Sequence, residues 1–279
     1  MNAFEMHGLT KSFSGFTLGP LELALPRGCI MGLIGENGAG KSTTIRLLLG
    51  MLHSDGGTME ILGTPGAADA RTREDLGVVL DEVGIPSCMT ARQTGRVMQG
   101  IYRHWEPASF EGYIRRLDIP ADKPFGELSR GNKMKVGIAV ALSHNAKLLL
   151  LDEATGGLDP VVRDEVTDIL LEFTRQEDHS VLLSSHIVSD LEKICDYVAC
   201  LHKGKLLLCE EKDALLEEYG ILRSPAETMD ALDAGAVLHR KDTAWGVEAI
   251  VRRDAVGADC TLGAVSIEEL FIHMVKEAE

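Results

Sequence analysis

Long apolar runs are missing from this chain. No stretch reaches the roughly 18 consecutive apolar residues that a membrane-crossing helix needs, and the densest run, Val136–Leu142, gives way at once to polar residues. Basic charge is in deficit: 28 lysines and arginines face 43 acids, a net charge of −15. Such a chain repels nucleic acid and anionic lipid unless a local basic patch overrides the total, so no nucleic-acid partner is expected. The six cysteines contain no C-x-x-C pair, and the nine histidines show no H-E-x-x-H spacing. Reduced thiols and no structural zinc are therefore expected. The opening stretch MNAFEMHGLTKSF has neither the basic start nor the apolar centre of a signal peptide, which predicts a cytoplasmic chain. No internal repeat is visible. What is present is an ordinary soluble composition, 45% apolar and 25% charged over 279 residues. That is enough for one large domain with a small one, or for two modest domains.

The order of periodic segments predicts an α/β architecture. Residues 3–27 read as short strands joined by glycines. Cys29–Ile34 is a compact apolar run leading into a glycine-rich loop, and a helix follows from Ser42 to Leu49 and stops at Gly50. Leu76–Leu80 is a second buried strand. Residues 90–118 are helical in composition, with Phe110, Ile114 and Leu117 on one face. A helix capped by Ser129 runs to about Ser143, and Lys147–Leu151 is a strand. Asp159-Pro160 opens a further helix, Asp as cap and Pro in the first turn, with Val162, Val166, Ile169, Leu170 and Phe173 as its buried stripe. Ser180–Ser184 is a strand, and a hairpin turns at Lys203-Gly204. Beyond Tyr219 the pattern changes to a small α+β unit whose last helix covers Ile267–Val275.

Two motifs carry chemistry. Gly35-x4-Gly40-Lys41-Ser42 matches G-x-x-x-x-G-K-[ST] in full, between a strand and a helix. Glycines let successive N–H groups turn inward around phosphate oxygens, and the helix start adds partial positive charge. Lys41 is expected on the outer phosphates, Ser42 on Mg²⁺ and Thr43 on an inner phosphate. The bland alternative is a glycine-rich turn followed by a chance Gly-Lys-Ser. The second motif, Leu148-Leu149-Leu150-Leu151-Asp152-Glu153, is a buried strand ending in two acids. In a doubly wound sheet such acids lie at the strand's carboxyl end, beside the phosphate loop. Asp152 is expected to bind Mg²⁺ and Glu153 to act as general base toward the attacking water.

With these motifs in place the chain resembles the ATPase subunits of ATP-binding-cassette (ABC) transporters. Leu128-Ser129-Arg130-Gly131-Asn132 is similar to that family's signature. Gly157-Leu158-Asp159 is similar to its D-loop, and His186 to its switch histidine. Phe13 lies where the family puts an adenine-stacking aromatic. The resemblance covers residues 1 to about 212. It implies a P-loop NTPase of the ABC-ATPase fold: a RecA-like α/β core, an N-terminal antiparallel β-subdomain and a helical subdomain over about 82–145. Residues 1–219 would form the nucleotide-binding domain, and 220–279 a small C-terminal α+β extension. It implies ATP and Mg²⁺ as ligands, bound through Phe13, Gly35, Asn37, Gly38, Gly40, Lys41, Ser42 and Thr43 of one chain. From a second ABC ATPase in a homodimer or heterodimer, Ser129, Gly131 and Asp159 would meet the nucleotide, while His186 would hold the attacking water. Integral membrane permease subunits would be separate chains, placing this one at the inner face of the cell membrane. Taken singly, Ser129 reads equally as a helix cap, His186 as a loop histidine and Phe13 as core.

Two positions depart from the family pattern. Asp81 stands where a glutamine usually touches Mg²⁺ and water; it reads either as a replacement, catalytic and metal-binding, or as an exposed loop acid. Arg130 stands where glycine is usual, in a position that then requires ordinary helical backbone; it either alters closure or adds positive charge near the partner's ATP. The tail, with Gly246–Ala249 in a strand and a helix opening at Ile267, resembles export-type ATPases of bacteria, and export of a peptide, antibiotic or toxic small molecule is the reading favoured. Residues 81–105, with Met89, Arg92, Arg96, Met98, Tyr102 and Trp105, fit either a permease-docking face or a partly buried helix pair. The alternatives in other classes are a non-transport ABC-type ATPase of DNA repair or translation, and a nucleotide-binding scaffold without hydrolysis. The first usually needs a coiled coil or two cassettes; the second conflicts with Lys41, Asp152, Glu153 and His186 occurring together.

Overall fold

The structure, a computed structural model, describes residues 1–230, 232–243, 246–257 and 260–278. It opens with β1 (Asn2–Phe13) and β2 (Phe16–Pro26), a long antiparallel hairpin. The sequence suggested short strands broken at glycines. Instead the glycines are absorbed as irregularities within continuous strands. Gly8 lies at φ +57, where the register slips between Met6 and Leu9, the extra-residue geometry of a bulge. After β3 (Ile30–Gly35) and α1 (Lys41–Leu48) come β4 (Gly56–Ile61) and β5 (Thr64–Pro65), which complete a sheet ordered β2-β1-β4-β5. β4 escaped sequence reading because its burial pattern is nearly all exposed. Its entry is set by contact: a Cβ on Gly57 would stand 2.3 Å from the Gly8 carbonyl oxygen.

The chain continues through β6 (Leu76–Val79), α2 (Ala91–Ile101), α3 (Pro107–Arg116), α4 (Arg130–Ala141), β7 (Leu148–Asp152), α5 (Pro160–Phe173) and β8 (Ser180–Ser185). Then come α6 (Val188–Ile194), β9 (Tyr197–His202) and β10 (Lys205–Glu211). The central sheet is ordered β10-β9-β3-β8-β7-β6, parallel except for β10. Alternation along its strands feeds two cores. Leu149 and Leu151 of β7 join Ile34, Val181 and the helices α4 and α5 on one face. Leu148 and Leu150 join Met31, Leu33, α1 and the β1–β2 hairpin on the other. A sheet covered on both faces demands the unbroken apolar strand that Leu148–Leu151 supplies.

Within residues 90–118 the helical composition resolves into two helices. Tyr102, the C-cap of α2, is extended, and Pro107 starts α3; a proline cannot continue the preceding helix but suits a first turn. Met98, Tyr102 and Trp105 turn inward against the core, with Tyr102 stacked on His144 at 3.9 Å. Val97 and Ile101, one turn apart on α2, are exposed instead. The last segment forms α7 (Lys212–Glu218), β11 (Tyr219–Ser224), α8 (Ala226–Asp230), β12 (Val237–Thr243), β13 (Gly246–Arg252), β14 (Leu262–Gly263) and α9 (Ile267–Glu277). Its strands pair antiparallel in the order β12-β13-β11-β14. This sheet has a small cluster of its own, around Leu222, Met229 and Val251. Ile221 and Ile250 of this sheet join the larger core together with Ile267 and Leu270 of α9. Among the described residues, no helix is long and apolar enough to cross a membrane.

Candidate active site at the end of the central sheet

Strand β3 runs into the phosphate loop because Gly35 fits where a side chain could not: a Cβ there would stand 2.7 Å from the Leu201 carbonyl oxygen. Gly38 and Gly40 then take φ of +83 and +114, the left-handed region that glycine enters without cost. Around Gly38 an added Cβ would meet nothing within 4 Å, so the loop presents open backbone. Helix α1 starts directly at Lys41, with Gly40 as its N-cap and no side-chain cap. Its first N–H groups are therefore left for an anion. Lys41 is buried, and its ammonium folds back over the loop. It donates to the Gly35 carbonyl at 2.6 Å and the Glu36 carbonyl at 3.2 Å, and lies 3.2 Å from Glu153 Oε1. The last contact is an ion pair rather than an aligned hydrogen bond, since Oε1 has no hydrogen-bond partner.

The acids come from β7. Strand β8 lies between β7 and β3 in the sheet, so the phosphate loop and the acidic strand are next-nearest neighbours. Ser184 of β8 joins them. Its hydroxyl donates to Asp152 Oδ1 at 2.7 Å and accepts from the Glu153 N–H at 3.1 Å. Glu153 sits at φ +52, a conformation that costs a non-glycine residue about 1–2 kcal/mol. Strain of this kind clusters at functional sites. The Glu153 carboxylate is held on its two sides, by Lys41 at Oε1 and by His186 Nδ1 at 2.7 Å from Oε2.

One cavity of about 510 Å³ gathers Phe13, Asn37, Gly38, Gly40, Lys41, Ser42, Thr43, Asp81 and Glu153. Phe13 is 43% exposed, with its ring 6.3 Å from that of Phe16; it is no core residue. His186 is exposed and reaches the cavity through Glu153, while Asp152 is buried beside it. Ser129, Gly131 and Asp159 do not line the cavity. Ser129 caps α4 by accepting from the Asn132 N–H, and Asp159 caps α5 by accepting from Val161 and Val162. Gly131 packs beside the Gly157 carbonyl, so the start of α4 lies against the turn before α5. Asp81 is exposed, yet lines the cavity and pairs with Arg130 of the same chain.

Sequence reasoning missed Ser184, Phe16 and Arg46. Arg46 also lines the cavity, and its place one turn after Ser42 could have been found from helical spacing. Ser184 carried no signal, since only the register Asp152↔Ser184 makes it a neighbour of the acids. The donor set suits a nucleotide with Mg²⁺: open loop amides and an ammonium for phosphate, and the oxygens of Ser42, Asp152 and Asp81 for a hard cation. Among the described residues no group of three or more His, Cys, Asp or Glu could hold a metal alone.

A phosphate loop on a mainly parallel sheet, with a strained glutamate facing its lysine, defines a P-loop nucleotide hydrolase. The profile of the ABC transporter family matches residues 18–156. The Nod factor export ATP-binding protein I of Rhizobium sp. (strain N33) is 34% identical over 225 residues, covering 78% of this chain and 73% of that protein. The bacitracin transport ATP-binding protein BcrA of Bacillus licheniformis is 32% identical over 206 residues, covering 73% of this chain and 66% of that protein. The uncharacterized ABC transporter ATP-binding protein YhcH of Bacillus subtilis (strain 168) is 29% identical over 285 residues, covering 98% of this chain and 90% of that protein. Among solved structures, an ATP-binding subunit of an ABC transporter superposes with TM-score 0.69 at 26% identity, covering 76% of this chain and 91% of that one. A dimeric bacterial ABC transporter cassette superposes with TM-score 0.68 at 20% identity, covering 75% and 98%, and so shares the fold. The chain belongs to the ATP-binding subunits of ABC transporters, a family of ATPases.

Proposed function

We propose that this chain hydrolyses ATP·Mg²⁺ in the cavity at the end of β3, and that paired cassettes thereby drive export through separate permease subunits. The observation that carries the reading is Glu153, strained at φ +52 and clasped between Lys41 and His186. ATP brings the bond to be broken, and Mg²⁺ the charge that offsets its phosphates. Lys41 swings from the Gly35 and Glu36 carbonyls onto phosphate oxygens, joined by the loop N–H groups of Gly38 and Gly40. That frees Glu153 to accept a proton from water, with His186 orienting both. Ser42, Asp152 and Asp81 supply cation ligands, and Phe13 a face for the base.

Ser129, Gly131 and Asp159 lie outside this cavity, which supports completion of the site by a second cassette, whether a copy of this chain or a relative. Residues 1–219 form the nucleotide-binding domain and 220–279 the accessory unit in this reading. The relatives named for bacitracin transport and Nod factor export favour an exported peptide, antibiotic or small molecule, and a place at the inner face of the membrane with the permease. The exposed pair Val97 and Ile101 favours docking through α2. The test is Glu153→Gln against Lys41→Ala. Glu153→Gln is expected to lower kcat about 10²–10⁴-fold while retaining ATP and dimerising; Lys41→Ala is expected to lose ATP binding. An unchanged kcat in Glu153→Gln would refute the assignment of the base.

A further inference from the structure

The two positions that depart from the family pattern touch each other. The Arg130 guanidinium, at the start of α4, donates through Nη2 to Asp81 Oδ1, just beyond β6. The stem of the same side chain crosses Gly157: a Cβ there would stand 3.5 Å from Arg130 Cδ. One side chain thus braces three segments: the start of α4, the turn before α5 and the loop after β6. Asp81 also lies on a boundary. It lines the cavity with Lys41 and Ser42 on one side, and on the other a groove of about 550 Å³ with Val83, Phe125 and Met134.

We propose that Arg130 is a positioning residue: it holds Asp81 until a divalent cation entering with nucleotide competes for the same carboxylate, which unlocks the start of α4 from the loop after β6. The inference rests on the reading that this cavity binds ATP·Mg²⁺. A guanidinium and a metal cation on one carboxylate repel each other, so each weakens the other's hold. Linkage makes the effect mutual. Arg130 and Asp81 are 64% and 54% exposed, so the pair contributes a factor of only about five or less to the equilibrium it biases. Such a contact can break in every cycle. The helix survives the release because Ser129, which accepts from the Asn132 N–H, caps α4 independently of Arg130.

The test is a double-mutant cycle on the full chain with Arg130→Gln, Asp81→Asn and both together. The first readout is the Mg²⁺ concentration that half-saturates binding of the N-methylanthraniloyl derivative of AMP-PNP. Arg130→Gln is expected to lower that concentration about three- to fivefold, and to leave it unchanged when Asp81→Asn is already present. The second readout is amide hydrogen exchange over residues 128–134 without nucleotide. Each single substitution is expected to raise it, and the double no further. An equal effect of Arg130→Gln with and without Asp81→Asn, or none in either background, would overturn the proposal. The site reading fails separately: if Lys41→Ala leaves analogue binding intact, the cavity is not the nucleotide site and both inferences fall.

Discussion

Ser184→Ala isolates the residue that positions both acids. Ser184 is fully buried and Asp152 is 2% exposed, so water cannot replace the lost hydroxyl. Its hydrogen bond to the Asp152 carboxylate, 2.7 Å long, is charge-assisted and contributes about 1.5–3 kcal/mol. The Glu153 N–H keeps a partner, the Ser184 carbonyl at 3.2 Å, so no further loss is added for that group. At about 2–4 °C per kcal/mol for a chain of this general size, the melting temperature should fall by roughly 3–12 °C. Activity should fall further than stability explains, because the φ +52 turn at Glu153 loses its side-chain anchor; misplacement of this order costs about 10–100-fold in kcat. The control is Ser180→Ala on the same strand. Ser180 is equally buried and accepts from the Gly28 N–H at 3.0 Å, but lies four residues from the acids. Differential scanning fluorimetry and a phosphate-release assay, both on folded protein, separate the two effects. If Ser184→Ala and Ser180→Ala lower kcat equally, Ser184 has no positioning role and the argument from register is wrong.

Three further outcomes follow from other groups. Phe13→Ala should weaken ATP binding by about 1–3 kcal/mol, the worth of a base–aromatic stack, raising KM with kcat little changed; a loss confined to kcat would remove Phe13 from the binding face. Buried His179 is held below its usual range, chiefly by desolvation and then by Lys147, which donates to its Nε2 at 3.3 Å. Because the unfolded chain takes up that proton first as pH falls through about 6.5, the stability due to neutral His179 is present above that pH and drains below it. Asp178, lowered by its hydrogen bond to Lys147, loses its contribution only below the ordinary carboxylate range. The fall in melting temperature between pH 7 and 5 should therefore be shallower in His179→Gln. Burial pushes the Cys200 thiol up to about 12 and the Cys195 thiol higher still, whereas Cys88 is exposed. A disulfide reagent at pH 8 should give a fast phase that Cys88→Ser abolishes, while Cys195 and Cys200 react only after unfolding.

The elements legible in the sequence are those with strong local rules. The apolar run of β7 must be buried on both faces, so its length and type were readable without a partner. The caps of α4 and α5 are written in Ser129 and in Asp159-Pro160, and the end of α1 in Gly50, which sits at φ +65. What escaped depends on contacts made across the chain. β4 has an exposed strand's pattern, and it pairs only because Gly57 allows close approach to the bulge at Gly8. The break at Tyr102 has no proline until Pro107; it is set by Tyr102 stacking on His144, 42 residues away. The short helix α6 was invisible because its seven residues hold too few turns to establish a period.

The site divides along the same line. The phosphate loop is readable because its chemistry is backbone chemistry, and glycine spacing is the local record of backbone conformation. Side chains that work on each other leave no such record. Asp81 and Arg130 each read as an isolated departure, 49 residues apart, with opposite charges in places where the family pattern has neutral residues. Joined, they are one feature: the acid beside the cavity brings its own counter-charge on the signature helix. A chain carrying only the acid would add a negative charge to a cavity that already holds Glu36 and Glu153 against Lys41 and Arg46. A chain carrying only the arginine would present an unpaired guanidinium beside Gly157. The pair therefore accounts for both departures at once: Arg130 returns the charge that Asp81 adds to a cavity otherwise balanced between Glu36 and Glu153 on one side and Lys41 and Arg46 on the other.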